Sequence, residues 1–217
     1  MRALYLYEIV TAIAGTLILA WVGYGIIFEG NIESPDYTVI KQSGSFEIRD
    51  YPPFIIASIT INKPYRPALN NGFRALAGYI FGDNIDSKKM PMTAPVIHSE
   101  SVTKIPMTAP VISQKNSTAH TVSFVLPKQY TLDSVPKPKN KQITLQTVSW
   151  PKMAVIKFRG WASESIINKK QQQLLSFIQR EQLTVIGNFS EACRVAQYNS
   201  PWVFPLLRKN EILVPVD

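Results

Sequence analysis

Side chains able to do covalent or metal chemistry are scarce in this sequence of 217 residues: two histidines, His98 and His120, and one cysteine, Cys193. A Ser-His-Asp or Cys-His arrangement needs a base beside its nucleophile, and so small an inventory offers few ways to build one. Cys193 sits in the alternating run Ala192-Cys193-Arg194-Val195-Ala196 and reads as a small buried apolar residue. His98 and His120 each stand at the end of a strand candidate, where a solvated histidine is ordinary; they are weak metal-ligand candidates, and no metal site is predicted. Met92 and Met107 could ligate a soft metal, but their place in a proline-braced frame argues for packing. Gly44, Gly72, Gly78 and Gly82 match neither phosphate-loop nor dinucleotide spacing. No catalytic residue is assigned, and the chain reads as a binder, not an enzyme.

Binding chemistry is better supplied. Between Tyr65 and Phe81, Leu69, Phe73, Leu76 and Ile80 recur at spacings of four, three and four, which puts them on one helix face. Arg66 and Arg74 lie among them. Any surface helix needs such a stripe to pack on its neighbours; the same stripe with either arginine could also wall a groove for an apolar anion. Pro67 fits the first turn of this helix and Gly82 the position past its end. A second helix is expected from Ser163, a plausible N-cap, to Leu183, with Ile167, Leu174, Leu175 and Ile178 as its stripe.

Two internal symmetries organise the rest. Lys89-Met90-Pro91-Met92-Thr93-Ala94-Pro95-Val96-Ile97 is nearly repeated at Lys104-Ile105-Pro106-Met107-Thr108-Ala109-Pro110-Val111-Ile112, fifteen residues on. Prolines exclude both copies from helix interiors and disfavour central strands, so the pair reads as two edge strands, or a strand and its returning loop. More distantly, Tyr51-Pro52-Pro53-Phe54-Ile55-Ile56-Ala57 resembles Trp150-Pro151-Lys152-Met153-Ala154-Val155-Ile156, an offset of 99 residues. Each is preceded by a strand-like run and followed by β-rich sequence and then a helix. Two such units packed together give an antiparallel sheet curling toward a barrel, with two helices outside.

The doubled nonamer resembles a hallmark of the SOUL/haem-binding protein family. Further likeness lies in Phe46-Glu47-Ile48-Arg49-Asp50-Tyr51-Pro52-Pro53, in Ser123 to Pro127, in Tyr130 to Leu132 with Pro136-Lys137-Pro138, and toward the C-terminus in Tyr198-Asn199-Ser200-Pro201-Trp202, Arg208-Lys209-Asn210-Glu211 and Val214-Pro215. The resemblance runs from about Tyr37 to Val216. It implies an α+β fold, a distorted antiparallel β-barrel of two β-α-β-β repeats with two flanking helices, akin to bacterial effector-binding domains. It also implies haem or another tetrapyrrole as ligand. The axial histidine of some animal members has no counterpart in the matching segments, so binding without a histidine ligand is the mode implied. The candidate groove is then Arg66, Leu69, Phe73, Arg74, Leu76 and Ile80.

Residues 1–28 stand apart. From Ala3 to Phe28 the chain is apolar apart from Glu8 and a few Thr, Gly and Tyr. Twenty-six helical residues span about 39 Å, more than the roughly 30 Å of a hydrocarbon core. The run is long for a signal peptide, and Ile18-Leu19-Ala20 is a poor cleavage site. An uncleaved transmembrane signal anchor over 1–28, a linker over 29–36 and one domain over 37–217 are expected. Arg2 precedes the helix and Glu29, Glu33 and Asp36 follow it, which favours the N-terminus inside and the domain on the extracytoplasmic side. The net charge of +8 is scattered, and for a tethered domain lipid headgroups account for it. No helix-turn-helix is visible, so nucleic acid is not an expected partner. The rival reading is a membrane-tethered effector-, lipid- or protein-binding module of the same fold. Oligomeric state is left open.

Overall fold

A computed structural model describes residues 2–29, 32–101, 119–199 and 203–217. In chain order it contains α1 (Arg2–Glu29), β1 (Thr38–Ser43), β2 (Phe46–Asp50), β3 (Phe54–Ile61), α2 (Tyr65–Ile80), β4 (Val96–Ser101), β5 (Ala119–Val125), β6 (Thr144–Val148), β7 (Met153–Arg159), α3 (Glu164–Arg180), α4 (Phe189–Ala192), β8 (Arg194–Gln197) and β9 (Lys209–Pro215). The strands form one antiparallel sheet in the order β1-β2-β7-β9-β8-β4-β5-β3-β6.

That order is symmetric about the β8–β4 pair. On one side lies β7-α3-β8-β9 and on the other β3-α2-β4-β5, and the strands preceding each unit are exchanged: β2 pairs with β7, and β6 with β3. The 99-residue offset holds in the elements, since β3 begins at Phe54 and β7 at Met153, and α2 begins at Tyr65 and α3 at Glu164. The sheet curls into a half-barrel with edges β1 and β6, whereas a barrel was expected. β1 extends the sheet outward: among the described strands it pairs with β2 alone, and all six of its residues are exposed.

Both amphipathic helices cover the same face, because alternate residues of the strands turn their apolar side chains that way. α3 buries Ile167, Leu174, Phe177 and Ile178 against Ala154, Ile156, Val195, Ile212 and Val214. α2 buries Leu76, Tyr79 and Ile80 against Ala57, Ile59, Val122 and Phe124. Gly72 lets α2 approach β5 closely, since a Cβ there would lie 2.6 Å from Val122 Cγ2. Ser163 caps α3 as expected, its side chain accepting from the Ile166 N–H at 3.4 Å.

The first nonamer does not make an edge strand. Its prolines precede β4, and Val96-Ile97 open a strand flanked on both sides, by β5 and β8. The rest of that copy is scaffold: Met90 is buried under α2, and the Thr93 hydroxyl donates to the Val125 carbonyl. The second copy, with Met107, lies outside the described residues, as do Pro201 and Trp202 of the C-terminal signature. The expected strand over Ala192 to Tyr198 is shorter, because Asn188 caps the turn of α4 before β8 begins. Cys193, just before β8, is buried as expected, and burial pushes its thiol up to about 12.

Opposite the helices the sheet buries charge. Arg49, fully buried, donates from Nη1 and Nη2 to both carboxylate oxygens of Glu211 at 2.8 Å. Its Nε donates to Glu47 at 2.7 Å, its Nη1 also reaches the Tyr51 hydroxyl, and its guanidinium covers the Tyr37 ring at 4.0 Å. Lys157 pairs with the other oxygen of Glu47, and the Tyr198 hydroxyl donates to Glu211 at 2.6 Å. Burial is the largest single influence and works against the charge on Arg49, but the hydrogen bonds and charge of Glu211, with Tyr51, together exceed it and raise its pKa. Burial likewise opposes the Glu47 carboxylate, and its bonds from Lys157 and Arg49 prevail, holding its pKa below the usual value. The pairing ties β2, β7 and β9 together.

The N-terminal segment expected to span a membrane is the 28-residue helix α1. Its side chains are described at 7–13, 15–17 and 20–23, and counted over the described residues no helix is long and apolar enough to cross a membrane.

Replacing Arg49 by Leu leaves the buried Glu211 carboxylate without a cation and Glu47 with Lys157 alone. The variant is expected to lose roughly 3–5 kcal/mol of stability, read from urea unfolding midpoints at pH 7. A loss below about 1 kcal/mol contradicts the pairing described.

Candidate functional site

α2 and α3 each sit over their own half of the sheet, and between α2 and the start of α3 a groove of about 1130 Å³ runs over the β4–β8 seam. Its floor includes Val96 and Gln197, which face each other across the seam. One wall is α2, through Tyr65, Arg66, Leu69, Asn70, Phe73, Arg74, Ala77 and Gly78. The other combines Gly160 to Ser163 and Ile166 with Asn199, Arg208 and Asn210.

Of the six residues expected to form a groove, Arg66, Leu69, Phe73 and Arg74 line it, while Leu76 and Ile80 do not. Those two are 0% and 2% exposed and pack beneath the helix on β3 and β5. The stripe is wide enough to split, with its Leu76–Ile80 part turned to the sheet and Leu69 and Phe73 at the helix flank, half-buried. Arg66 and Arg74 are exposed, and among the described residues neither forms an ion pair. Eight residues separate them, about 12 Å along the helix.

The opposite wall was not anticipated. Gly160 adopts φ +99°, a conformation that favours glycine, and its N–H donates to the Arg208 carbonyl at 3.0 Å while its carbonyl accepts from Asn210 Nδ2 at 2.9 Å. This turn leaves Trp161 58% exposed on the groove rim, with the Arg208 guanidinium 4.3 Å from its ring centroid. Arg208 Nε also donates to the Val203 carbonyl at 3.0 Å. Gly-Trp after a strand was the available signal, but nothing in the sequence ties residue 161 to residue 208.

The groove therefore joins apolar walls, an open indole face and arginines on two rims. Such a site suits a flat apolar body carrying carboxylates. Haem fits that description, and Arg66, Arg74 and Arg208 are the residues that would meet its acidic edge. His98 and His120 do not line the groove.

A smaller cavity of about 490 Å³ lies behind residues 33–36, bordered by Pro52, Pro53, Phe54, Tyr130 and Leu132. At its mouth Glu33 and Asp36 both bond Lys128: Glu33 Oε1 accepts from the Lys128 backbone N–H at 2.7 Å and Asp36 pairs with Lys128 Nζ at 2.6 Å. It offers an anion less than the groove does.

The two histidines are not solvated strand ends. His98 is 4% and His120 3% exposed, and His98 Nε2 lies 3.0 Å from His120 Nδ1. They sit diagonally across the β4–β5 pair, where His98 faces Val122 and His120 faces Glu100. The Tyr65 ring stands edge-on to His98 at 4.9 Å. Among the described residues the Tyr65 hydroxyl and His98 Nδ1, both buried, find no hydrogen-bond partner. Burial, with a smaller contribution from His120, lowers the pKa of His98 to about 4. Among the described residues no group of three or more His, Cys, Asp or Glu could hold a metal ion.

Comparison with known proteins places the chain among relatives of one kind. The family described as SOUL heme-binding protein matches residues 32–215. Heme-binding protein 2 of Mus musculus is 31% identical over 175 residues, covering 79% of this chain and 78% of that protein. Heme-binding protein 2 of Homo sapiens is 31% identical over 174 residues, with the same coverage of 79% and 78%. Among solved structures, a hydrolase from Listeria innocua superposes with a TM-score of 0.55 at 12% identity, covering 82% of this chain and 94% of that one. The EcmrR C-terminal domain superposes with a TM-score of 0.55 at 13% identity, covering 83% and 98%. An EcmrR–DNA complex gives a TM-score of 0.57 at 10% identity, covering 100% of this chain and 70% of that one. At these identities the structural likeness concerns the fold alone.

His98 is held neutral by the fold, so the unfolded chain takes up a proton near pH 6.5 that the folded chain refuses until about pH 4. Stability is thus expected to fall with pH across that window, by on the order of 3 kcal/mol from this group. In His98→Gln the difference between urea midpoints at pH 7 and pH 4.5 should shrink; an unchanged difference contradicts a neutral buried His98.

Proposed function

This chain belongs to the SOUL heme-binding protein family, and we propose that it is a membrane-anchored protein that takes haem or a related tetrapyrrole into the α2 groove, reversibly and without histidine ligation. The supporting observation is the pairing, in one groove, of apolar walls from Leu69, Phe73 and Trp161 with Arg66, Arg74 and Arg208. Bound haem would bring an iron centre and a strong visible absorption. The chain's own part is to stack on the macrocycle, exclude water from it and neutralise its carboxylates. The 31% identical proteins named for heme binding favour this ligand over other flat anions.

Anchoring rests on α1. Its described side chains from 7 to 13 and 15 to 17 are all exposed, with Tyr7 70%, Val10 57%, Ile13 55% and Leu17 66% accessible. A mostly apolar exposed surface, broken by Glu8, Thr11 and Thr16, is costly in water and suits a lipid environment. On this reading residues 1–28 anchor the chain, 29–36 link it, and the domain from 37 to 217 stands on the extracytoplasmic side. A second reading, a tethered effector-, lipid- or protein-binding module, is favoured by the same indole face, which would accept any flat amphiphile.

Haemin titration of the full chain in detergent, followed by its Soret band, tests the first reading. Saturable binding is expected, with Arg66→Glu and Arg74→Glu each weakening it several-fold and His98→Gln leaving the bound spectrum unchanged. Unchanged affinity in both arginine variants removes this groove as the site, and saturable lipid co-purification without haemin binding favours the module.

Anchoring is checked separately by alkaline carbonate extraction of membranes. The full chain should stay with the pellet; release into the supernatant contradicts an anchor.

A further inference from the structure

We infer that the turn Val203–Arg208, together with Trp161, is a membrane-interface surface: it rests in the headgroup layer beside α1, so the groove opens at the bilayer. The inference depends on the anchoring of α1 and goes beyond it, because an anchored domain could equally stand clear of the lipid.

The position of Trp21 carries the argument. Every described side chain of α1 from Tyr7 to Trp21 is exposed; Trp21, 43% accessible, meets Phe204 edge-on at 5.3 Å, and Val22 and Gly23 after it are half-buried. The stretch of α1 before Trp21, residues 2–20, is about 28 Å long at ~1.5 Å per residue, close to the roughly 30 Å of a hydrocarbon core. If that part fills the core, Trp21 falls at the membrane surface, the depth at which tryptophan is enriched in spanning helices. Phe204, touching Trp21, falls at the same depth.

The chain around Phe204 has the composition such a layer selects. Leu206 is 68% exposed in a short 3-10 turn, and Trp161 is 58% exposed beside Arg208. Neither would gain from facing water, while amphipathic rings and isolated leucines are stabilised at the headgroup boundary. Arg159 and Lys209, both exposed and paired in register across β7 and β9, set cations at the base of the same turn. Cations there favour anionic headgroups. Trp161 and Arg208 also line the groove, so a ligand dissolved in the membrane would reach it without crossing water.

The test uses the full chain, reconstituted in vesicles of phosphatidylcholine with phosphatidylglycerol, with Cys193→Ser and a single new cysteine carrying an environment-sensitive fluorophore. Leu206→Cys reports on the turn. Ile85→Cys, 62% exposed in the loop after α2 and bonded through its N–H to the Lys137 carbonyl, is the comparison site. Flotation first establishes that the protein is anchored. The inference expects lipid-borne nitroxide to quench the label at 206 several-fold more than that at 85, with iodide quenching in the opposite order. Equal quenching at both sites in vesicles that float with protein overturns the interface surface and leaves the anchor standing. Failure to float overturns the anchor, and the interface surface with it.

Discussion

The groove exists because of one constraint, the antiparallel pairing of β4 with β8. Four register pairs, from Val96↔Gln197 to Ser99↔Arg194, join two half-sheets that otherwise have their own helix and their own core. Each helix buries its stripe on its own half. A helix centred on each half cannot also cover the strip between, so the seam is roofed by side chains from the flanks: Leu69 and Phe73 from α2, Ile166 from the start of α3. Binding surface here is what is left over when two repeats share one sheet face.

The residues that carry the family likeness mostly build the scaffold. Glu47, Arg49, Tyr51, Tyr198 and Glu211 form the buried charge network opposite the helices, and Thr93 and Ala94 hold the linker, the Ala94 N–H donating to the Glu33 carbonyl at 2.8 Å. A bidentate arginine between two carboxylates has demanding geometry, so it fixes the register of β2 against β7 and β9 more sharply than an apolar contact of the same size. That stiffness serves the other face of the sheet, where β9 leads back through Lys209 to Arg208 and the groove rim. Of the described residues that carry the likeness, Val96, Asn199, Arg208 and Asn210 line the groove itself.

What the sequence made legible follows from local periodicity. The ends of α2 came from Pro67 and Gly82, its apolar face from Leu69, Phe73, Leu76 and Ile80, and the duplication from the 99-residue offset. Contacts set by register were not legible. The proline-rich nonamers read as two edge strands, or a strand and its returning loop, yet Pro95 directly precedes β4 and leaves Val96-Ile97 free to pair on both sides. His98 and His120 read as solvated ends, and only the β4–β5 register brings a nitrogen of each ring to 3.0 Å. The same holds for the site: Arg66, Leu69, Phe73 and Arg74 lie on one helix and could be grouped by spacing, whereas Trp161 and Arg208 meet through a glycine turn and a strand end far apart in sequence.

The central claim is that the ligand lies over the β4–β8 seam, and the most direct measurement is a structure of the full chain determined with haemin added. The account predicts planar density between α2 and Trp161, above Val96 and Gln197, with its acidic edge toward Arg66, Arg74 or Arg208. Density in the cavity behind residues 33–36, or iron bound to His98 or His120, would contradict it.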